Sequence, residues 1–326
     1  MSRSGFAVLG VGAAVVAAVA VVVLAEDPQS AVPLAATPSV TVPAPTPTTS
    51  ASPTPSPSPS TATPSPATPT PVAATVLTNG SRDEMKVALT FDADLSEASL
   101  ARVQDGRYPP QYNEPVIDFL DANDVPATIF VTGMWAQTYP EAMTRFAADP
   151  LFEVGNHSWD HLAWTDDCYG LPQVTGAAAK QAQVADTNEV IRSFTGEFPQ
   201  YFRFPGLCHA DADVEIAAAA GTYTVDTDLG TSDAFAKRAD PVVSDVLAQV
   251  QPGSILLFHL NGAPNAPATS EIVEQLVPTL QEAGYTIVPL AELLGHTAGS
   301  PPAAGNTPGS ATSPQSKPTS GYAESY

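Results

Sequence analysis

The chain has 326 residues, with 12 lysines and arginines against 34 aspartates and glutamates, a net charge of −22. So acidic a surface excludes nucleic acid and anionic lipid headgroups as partners, because binding phosphate requires a basic face. Two cysteines and five scattered histidines give no ligand pattern for a structural zinc finger.

Taken in chain order, Arg3 precedes an unbroken apolar run from Phe6 to Ala25. Twenty such residues span about 30 Å as a helix, enough for a bilayer core. Val23-Leu24-Ala25 before Glu26 also reads as a small-residue cleavage site. Residues 1–25 are therefore expected to be a signal peptide or a membrane anchor, and the protein to be exported. It would lie outside the cell, in the wall, or anchored facing outward, and would touch the membrane only through that anchor. Residues 26–75 follow, with no charge from Pro28 to Thr75 and mostly Pro, Thr, Ser and Ala. Such a linker cannot bury enough apolar surface to offset its ordering entropy, and its hydroxyls suit O-glycosylation. The tail, residues 297–326, is of the same kind and is expected to be disordered. What remains, residues 76–296, is one domain holding 10 basic and 31 acidic residues, a net of −21.

Within the domain, strand-like and helical runs alternate. The strands are read at Lys86–Phe91, Ala127–Val131, Leu151–Val154, Tyr201–Phe204, Thr222–Val225, Ser254–Phe258 and Tyr285–Pro289. Helices are read at Glu114–Ala122, Tyr139–Ala148, Gly176–Phe194, Ala212–Ala220, Pro241–Val250, Ser270–Ala283 and Ala291–Leu294. About seven such β/α units predict a parallel sheet covered by helices. Asp92 and Asp94, His157, Arg203, Asp226 and His259 fall at the C-terminal ends of five different strands. They converge only if those ends share one rim, which favours a barrel over an open sheet. Cys168 and Cys208, in an exported chain with no other cysteine, are read as a disulfide.

Two histidines four apart, His157 and His161, share a face if the segment turns helical, and could share a metal. A carboxylate from the Asp92-Ala93-Asp94 segment completes a three-ligand site open to water and substrate. A metal ion there would lower the pKa of its water and polarise a carbonyl. The spare carboxylate could take the proton, His259 could protonate a leaving group, and Arg203 could orient the base through a paired hydrogen bond. Hydrolysis of an acyl group is the economical reading. Ser158 has no third residue to complete a nucleophilic triad. His296, at the edge of the tail, reads as solvated. Trp135, Trp159 and Trp164 either stack on sugars or pack in the core.

Five segments, in order, carry a family resemblance: Thr90-Phe91-Asp92-Ala93-Asp94, His157-Ser158-Trp159-Asp160-His161, Arg203-Phe204-Pro205-Gly206, the region around Asp226, and Leu257-Phe258-His259. Together they resemble the polysaccharide deacetylases of the NodB-homology type, carbohydrate esterase family 4. The resemblance implies a distorted (β/α)7 barrel, a divalent metal with zinc the expected ion, and removal of acetyl groups from a polysaccharide. Peptidoglycan, a chitin-like polymer and acetylated xylan all stay open as substrates. It further implies His157 and His161 as metal ligands, Asp92 as general base braced by Arg203, and His259 as general acid paired with Asp226. Leu257 would wall the acetyl methyl, and the backbone N–H of Gly206 would help hold the oxyanion. Two departures stand out. The family's adjacent aspartates are split here by Ala93, so Asp94 becomes the metal ligand only if the strand end bends by one residue; otherwise Asp92 would ligate. The fourth motif also lacks its Asp-Trp ending. The split motif admits an alternative: a non-catalytic carbohydrate-binding protein on a decayed deacetylase scaffold.

Overall fold

The computed structural model describes residues 68–296; the leader expected at 1–25, the linker up to residue 67 and the tail from residue 297 lie outside them. The chain runs β1 (Val76–Leu77), β2 (Lys86–Ala93), α1 (Glu97–Gln104), α2 (Glu114–Ala122), β3 (Ala127–Val131), α3 (Gly133–Thr138), α4 (Pro140–Ala148) and β4 (Phe152–Asn156). It continues with α5 (Ala177–Thr195), β5 (Tyr201–Phe202), α6 (Asp211–Ala219), β6 (Tyr223–Val225), β7 (Leu229–Gly230), α7 (Ala239–Gln249), β8 (Ile255–His259), α8 (Thr269–Glu282), β9 (Thr286–Ile287) and α9 (Leu290–Leu293). Every pairing between these strands is parallel. The sheet order is β1-β6-β5-β4-β3-β2-β8-β7, with β9 beside the start of β2. The sheet curls into the expected distorted (β/α)7 barrel, left open between its end strands β1 and β7.

Period-two alternation decides what faces the interior. On β2, Val87, Leu89, Phe91 and Ala93 point outward into the main core under the helices. Ala88 faces inward, and so do Thr90 and Asp92, which both meet the Arg203 side chain. On β8, Leu256 and Phe258 face out while Ile255 packs inside. The interior therefore grades from apolar at the strands' N-terminal ends to polar at their C-terminal ends. At the apolar end, Ala88, Phe130, Tyr201, Tyr223 and Ile255 pack against Val288, Leu290 and Leu293, so α9 forms a floor under the barrel.

Several elements escaped the sequence. Two-residue strands such as β1 and β7 are too short to show alternation. Helix α1 has a sequence of low amphipathicity, yet it is held by a capping box between Ser96 and Ser99. The domain also begins before residue 76: the N–H of Val72 donates to the Ala218 carbonyl (3.0 Å), and Pro69 lies against Gly221. His296, expected in solvent, is buried; its ring stacks on Tyr201 and Nδ1 shares a 2.8 Å hydrogen bond with the Tyr201 hydroxyl. Its neighbourhood in sequence is polar, but the turn after α9 folds it back into the floor. The first and last described segments thus both meet the barrel at its floor.

Glu153 enters the same layer from β4. Its carboxylate accepts a hydrogen bond from Thr128 Oγ1 at 2.9 Å, and burial pushes its pKa from the ordinary 4.5 up to about 7. Between those values the folded chain holds a proton that the unfolded chain has lost, so stability falls as pH rises through that window. Glu153→Gln should therefore raise the melting temperature more at pH 8, where the buried carboxyl is driven to ionise, than at pH 5. Thermal unfolding at the two pH values measures it, and an equal shift at both would contradict the assignment.

Candidate active site

The C-terminal ends of β2, β4, β5 and β8 carry the charged groups of the barrel mouth. Thr90, Asp92 and Asp94 share one face of the β2 strand and its continuation, with Ala93 turned into the outer core. No bend is needed to bring both carboxylates inside, because residues two apart already point the same way. The expected bend is thus corrected. Asn261 fixes the end of this run, its Nδ2 donating to the Asp94 carbonyl (2.6 Å) and its Oδ1 accepting from the Asp94 N–H (3.4 Å).

His157 and His161 follow β4, but not as a helix. Ser158 and His161 adopt left-handed backbone, φ 68° and 60°, and the segment is a turn cradled by neighbours. The Gly133 N–H bonds the Ser158 carbonyl, the Met134 N–H bonds that of Trp159, and Gln183 Oε1 accepts from the Trp159 N–H. Gly133 is required by this approach: a Cβ there would collide with the Trp159 ring. The turn still brings both imidazoles together, with ring centroids 5.1 Å apart. Trp135 and Trp164 are core residues rather than sugar platforms.

One ligand atom from each of Asp94, His157 and His161 lies within 4.8 Å of the others, and all three residues are buried. The donor chemistry fits a metal. His157 Nδ1 lies 2.8 Å from the Arg203 carbonyl, which can only accept, so Nδ1 carries the hydrogen. Its Nε2 then faces Asp94 Oδ1 at 3.2 Å and Asp92 Oδ2 at 3.6 Å. A lone pair aimed at two carboxylates calls for a cation between them, a proton or a metal ion. Burial lowers the His157 pKa, but Asp92 and Asp94 outweigh it and hold it above its ordinary value. Burial takes His161 down to about 4, a neutral imidazole suited to ligation. Burial works against the charge of Asp94, yet the imidazoles of His161 and His157 overcome it and keep the carboxyl well below the usual range.

Arg203 is fully buried behind this cluster. Nη1 donates to Asp92 Oδ1 (2.8 Å) and to Thr90 Oγ1 (2.9 Å), Nε to the Val225 carbonyl (3.2 Å) and Nη2 to that of Asp226 (3.4 Å). On the neighbouring strand, His259 stands beside Asp92 as its cross-strand partner. Its partner is not Asp226. Asp233 Oδ1 bonds His259 Nδ1 at 2.8 Å, and Asp233 Oδ2 accepts from the His259 N–H (2.8 Å) and Thr269 Oγ1 (2.7 Å). Asp226 instead pairs with His209, Oδ2 to Nε2 at 3.1 Å, because the chain after β6 turns away before β7 returns it to the rim. Asp233 went unrecognised in the sequence; the only cue was an acid followed closely by an aromatic, Phe235, beyond the motif that lacks its Asp-Trp ending.

Leu257 lies two residues before His259 on β8 and is buried on the same side. Gly206 occupies a tight turn, Pro205–Leu207, with φ 61°, where a Cβ would lie 2.8 Å from Cys168 Sγ. Cys168 and Cys208 form the expected disulfide, which ties this turn to the loop after His161.

Residues 79–225 match the family model described as Polysaccharide deacetylase. The uncharacterized protein YlxY of Bacillus subtilis is 30% identical over 188 residues, which cover 57% of this chain and 54% of YlxY, so the chain spans about half that relative's length. The chitooligosaccharide deacetylase of Sinorhizobium fredii is 28% identical over 190 residues, 55% of this chain and 83% of that enzyme. In fold, the chain is similar to the Bc1960 peptidoglycan N-acetylglucosamine deacetylase, with a TM-score of 0.58 at 21% identity over 68% of this chain and 94% of that one. Over these residues, a little under half of the chain, the protein is thus similar to polysaccharide deacetylases. The match ends before β7 and β8, and the Asp233–His259 pair lies beyond it.

Burial lowers the His259 pKa, but the charge and hydrogen bond of Asp233, then Asp94 and Asp92, raise it to about 9. Asp233→Asn removes the largest raising influence and should bring the imidazole's midpoint down, read by NMR titration of the folded variant. An unchanged midpoint would show that Asp233 does not set it.

Proposed function

We propose that the domain is a metal-dependent hydrolase that removes acetyl groups from an N-acetylated or O-acetylated polysaccharide outside the cell. The observation that carries this reading is the meeting of two kinds of group at one mouth. Asp94, His157 and His161 gather there with the Arg203-braced Asp92, and on the strand beside Asp92 stands His259, protonated below about pH 9.

Asp94, His157 and His161 would hold a divalent ion, zinc being the expected one, which when bound supplies Lewis acidity to an acyl oxygen and acidity to water. Asp92, its charge balanced by Arg203, accepts the proton of the water that adds to the acetyl carbon. Arg203 keeps that carboxylate pointed into the mouth through a charge-assisted bond at 2.8 Å. His259 donates its proton to the departing nitrogen or oxygen as the carbon–heteroatom bond breaks, leaving acetate and a free amine or alcohol. Asp233 stabilises the charged imidazole until that transfer and fixes its ring. Leu257 and the turn at Gly206 are assigned to the acetyl methyl and the oxyanion. Asp226 has no direct part in this scheme; it pairs with His209 and its carbonyl supports Arg203.

A non-catalytic carbohydrate-binding protein would need neither a proton acceptor nor a proton donor. Both are present and buried in the mouth, which favours the enzyme reading.

The experiment that tests it measures acetate release from an acetylated-glycan panel, with and without chelator, together with metal content. His157 and His161 substituted together should abolish both bound metal and turnover while leaving the fold intact. Asp92→Asn should retain the metal and lose roughly 10²-fold or more in turnover, the usual scale for a general base. Asp94→Asn should weaken metal affinity itself, so that excess metal restores part of the activity. If Asp94→Asn binds metal as tightly as the parent while Asp92→Asn does not, the two roles are exchanged.

A further inference from the structure

Beside His161 the barrel mouth opens into a cleft of about 610 Å³, within the size range of small-molecule sites. One part of its lining is apolar, from Leu162, Leu171 and Pro172; another is acidic, from Glu97 and Asp160. Among the described residues, no lysine or arginine lines it. This mixture suits a sugar ring, which offers an apolar face and a belt of hydroxyls.

The acidic side is set by local structure. Glu97 opens α1 directly after the Ser96 cap. Asp160 sits in the histidine turn, where its Oδ1 accepts from Gln183 Nε2 at 2.9 Å. The apolar side is also held. Leu171 and Pro172 follow Cys168, whose disulfide to Cys208 anchors the loop, and the Pro172 carbonyl accepts from the Ala163 N–H at 2.8 Å.

We propose that this cleft receives the sugar next to the one being deacetylated, and that Glu97 and Asp160 make it selective for glycans whose neighbouring sugar carries no carboxylate. The substrate class is then an uncharged, chitin-like N-acetylglucosamine oligomer, in preference to peptidoglycan strands whose alternate sugars bear lactyl and peptide carboxylates. The inference rests on the deacetylase reading of the mouth. Discrimination comes from like charges meeting in a partly desolvated cleft, which penalises the wrong substrate. A substrate carboxylate about 7 Å from one of these acids would be disfavoured by on the order of tenfold.

The test uses the full, metal-loaded chain and three probes: chitopentaose, a muramyl tetrasaccharide with free carboxylates, and the same tetrasaccharide with those groups amidated. Relative kcat/KM from acetate release is the readout. The parent should turn over the amidated tetrasaccharide about tenfold faster than the carboxylated one, with chitopentaose at least as good as the amidated form. Glu97→Gln combined with Asp160→Asn should raise the carboxylated-to-amidated ratio severalfold, and Glu97→Gln alone, at an exposed helix start, should move it the same way. Equal rates on the two tetrasaccharides in the parent, or a ratio unmoved in both variants, overturns the inference while the deacetylase reading stands. No acetate from any of the three probes removes that reading and this inference together.

Discussion

A guanidinium with no exposure to solvent lies at the centre of this barrel, and the mouth is arranged around its needs. Arg203 takes its charge into the interior, where an unpaired ion costs several kcal/mol. The site meets that cost from several directions: Asp92 and Thr90 on β2, the carbonyls of Val225 and Asp226 at the end of β6, and the Phe130 ring 4.1 Å beneath the guanidinium carbon. Each of these partners is thereby held in place. The backbone of Arg203 has a second effect, since its carbonyl fixes the hydrogen of His157 on Nδ1 and turns the other nitrogen towards the carboxylates. One residue therefore positions the proposed base and also sets the tautomer of a proposed ligand. Lysine in its place could not make the same set of directed bonds, because its charge sits on a single nitrogen.

The balance of charge follows from the same constraint. Asp92, Asp94 and Asp233 are all buried, against Arg203 and a protonated His259. The remaining negative charge lies on the side of His157 and His161, where the ligand atoms converge. The mouth thus holds two kinds of group, one that gathers lone pairs and one that keeps a proton. A single polar cavity without this division could bind a sugar but would have no means of moving a proton across the scissile bond.

Much of this was legible from residue order. The alternation of strands and helices gave the parallel sheet with covering helices, and the polar residues at five strand ends favoured its closing into a barrel. The convergence of Asp92, Asp94, His157, Arg203 and His259 followed from their places at strand ends. What could not be read had local causes. The relation of Asp92 to Asp94 was misjudged by counting neighbours along the chain, when a strand sorts residues by face. The histidine turn owes its shape to Gly133 and Gln183, which lie on other elements and leave no trace within the motif. Asp233 reaches His259 only through the detour of β7, two residues long. His296 was misplaced because the sequence around it is rich in glycine and small polar residues, while Tyr201 and Tyr223, which bury it, lie far back in the chain.

The floor has a consequence for how the molecule can be attached to anything else. Residues 69–72 run beside the α6–β6 turn, and His296 lies under Tyr201 and Tyr223, so the described chain enters and leaves on the side of the barrel away from the charged rim. Attachment to a solid support through either end would leave the rim pointing away from it, free to meet an insoluble polymer. Attachment through the helices around the wall would instead lay the barrel on its side. That difference in orientation decides whether the rim is open to whatever lies beyond the support.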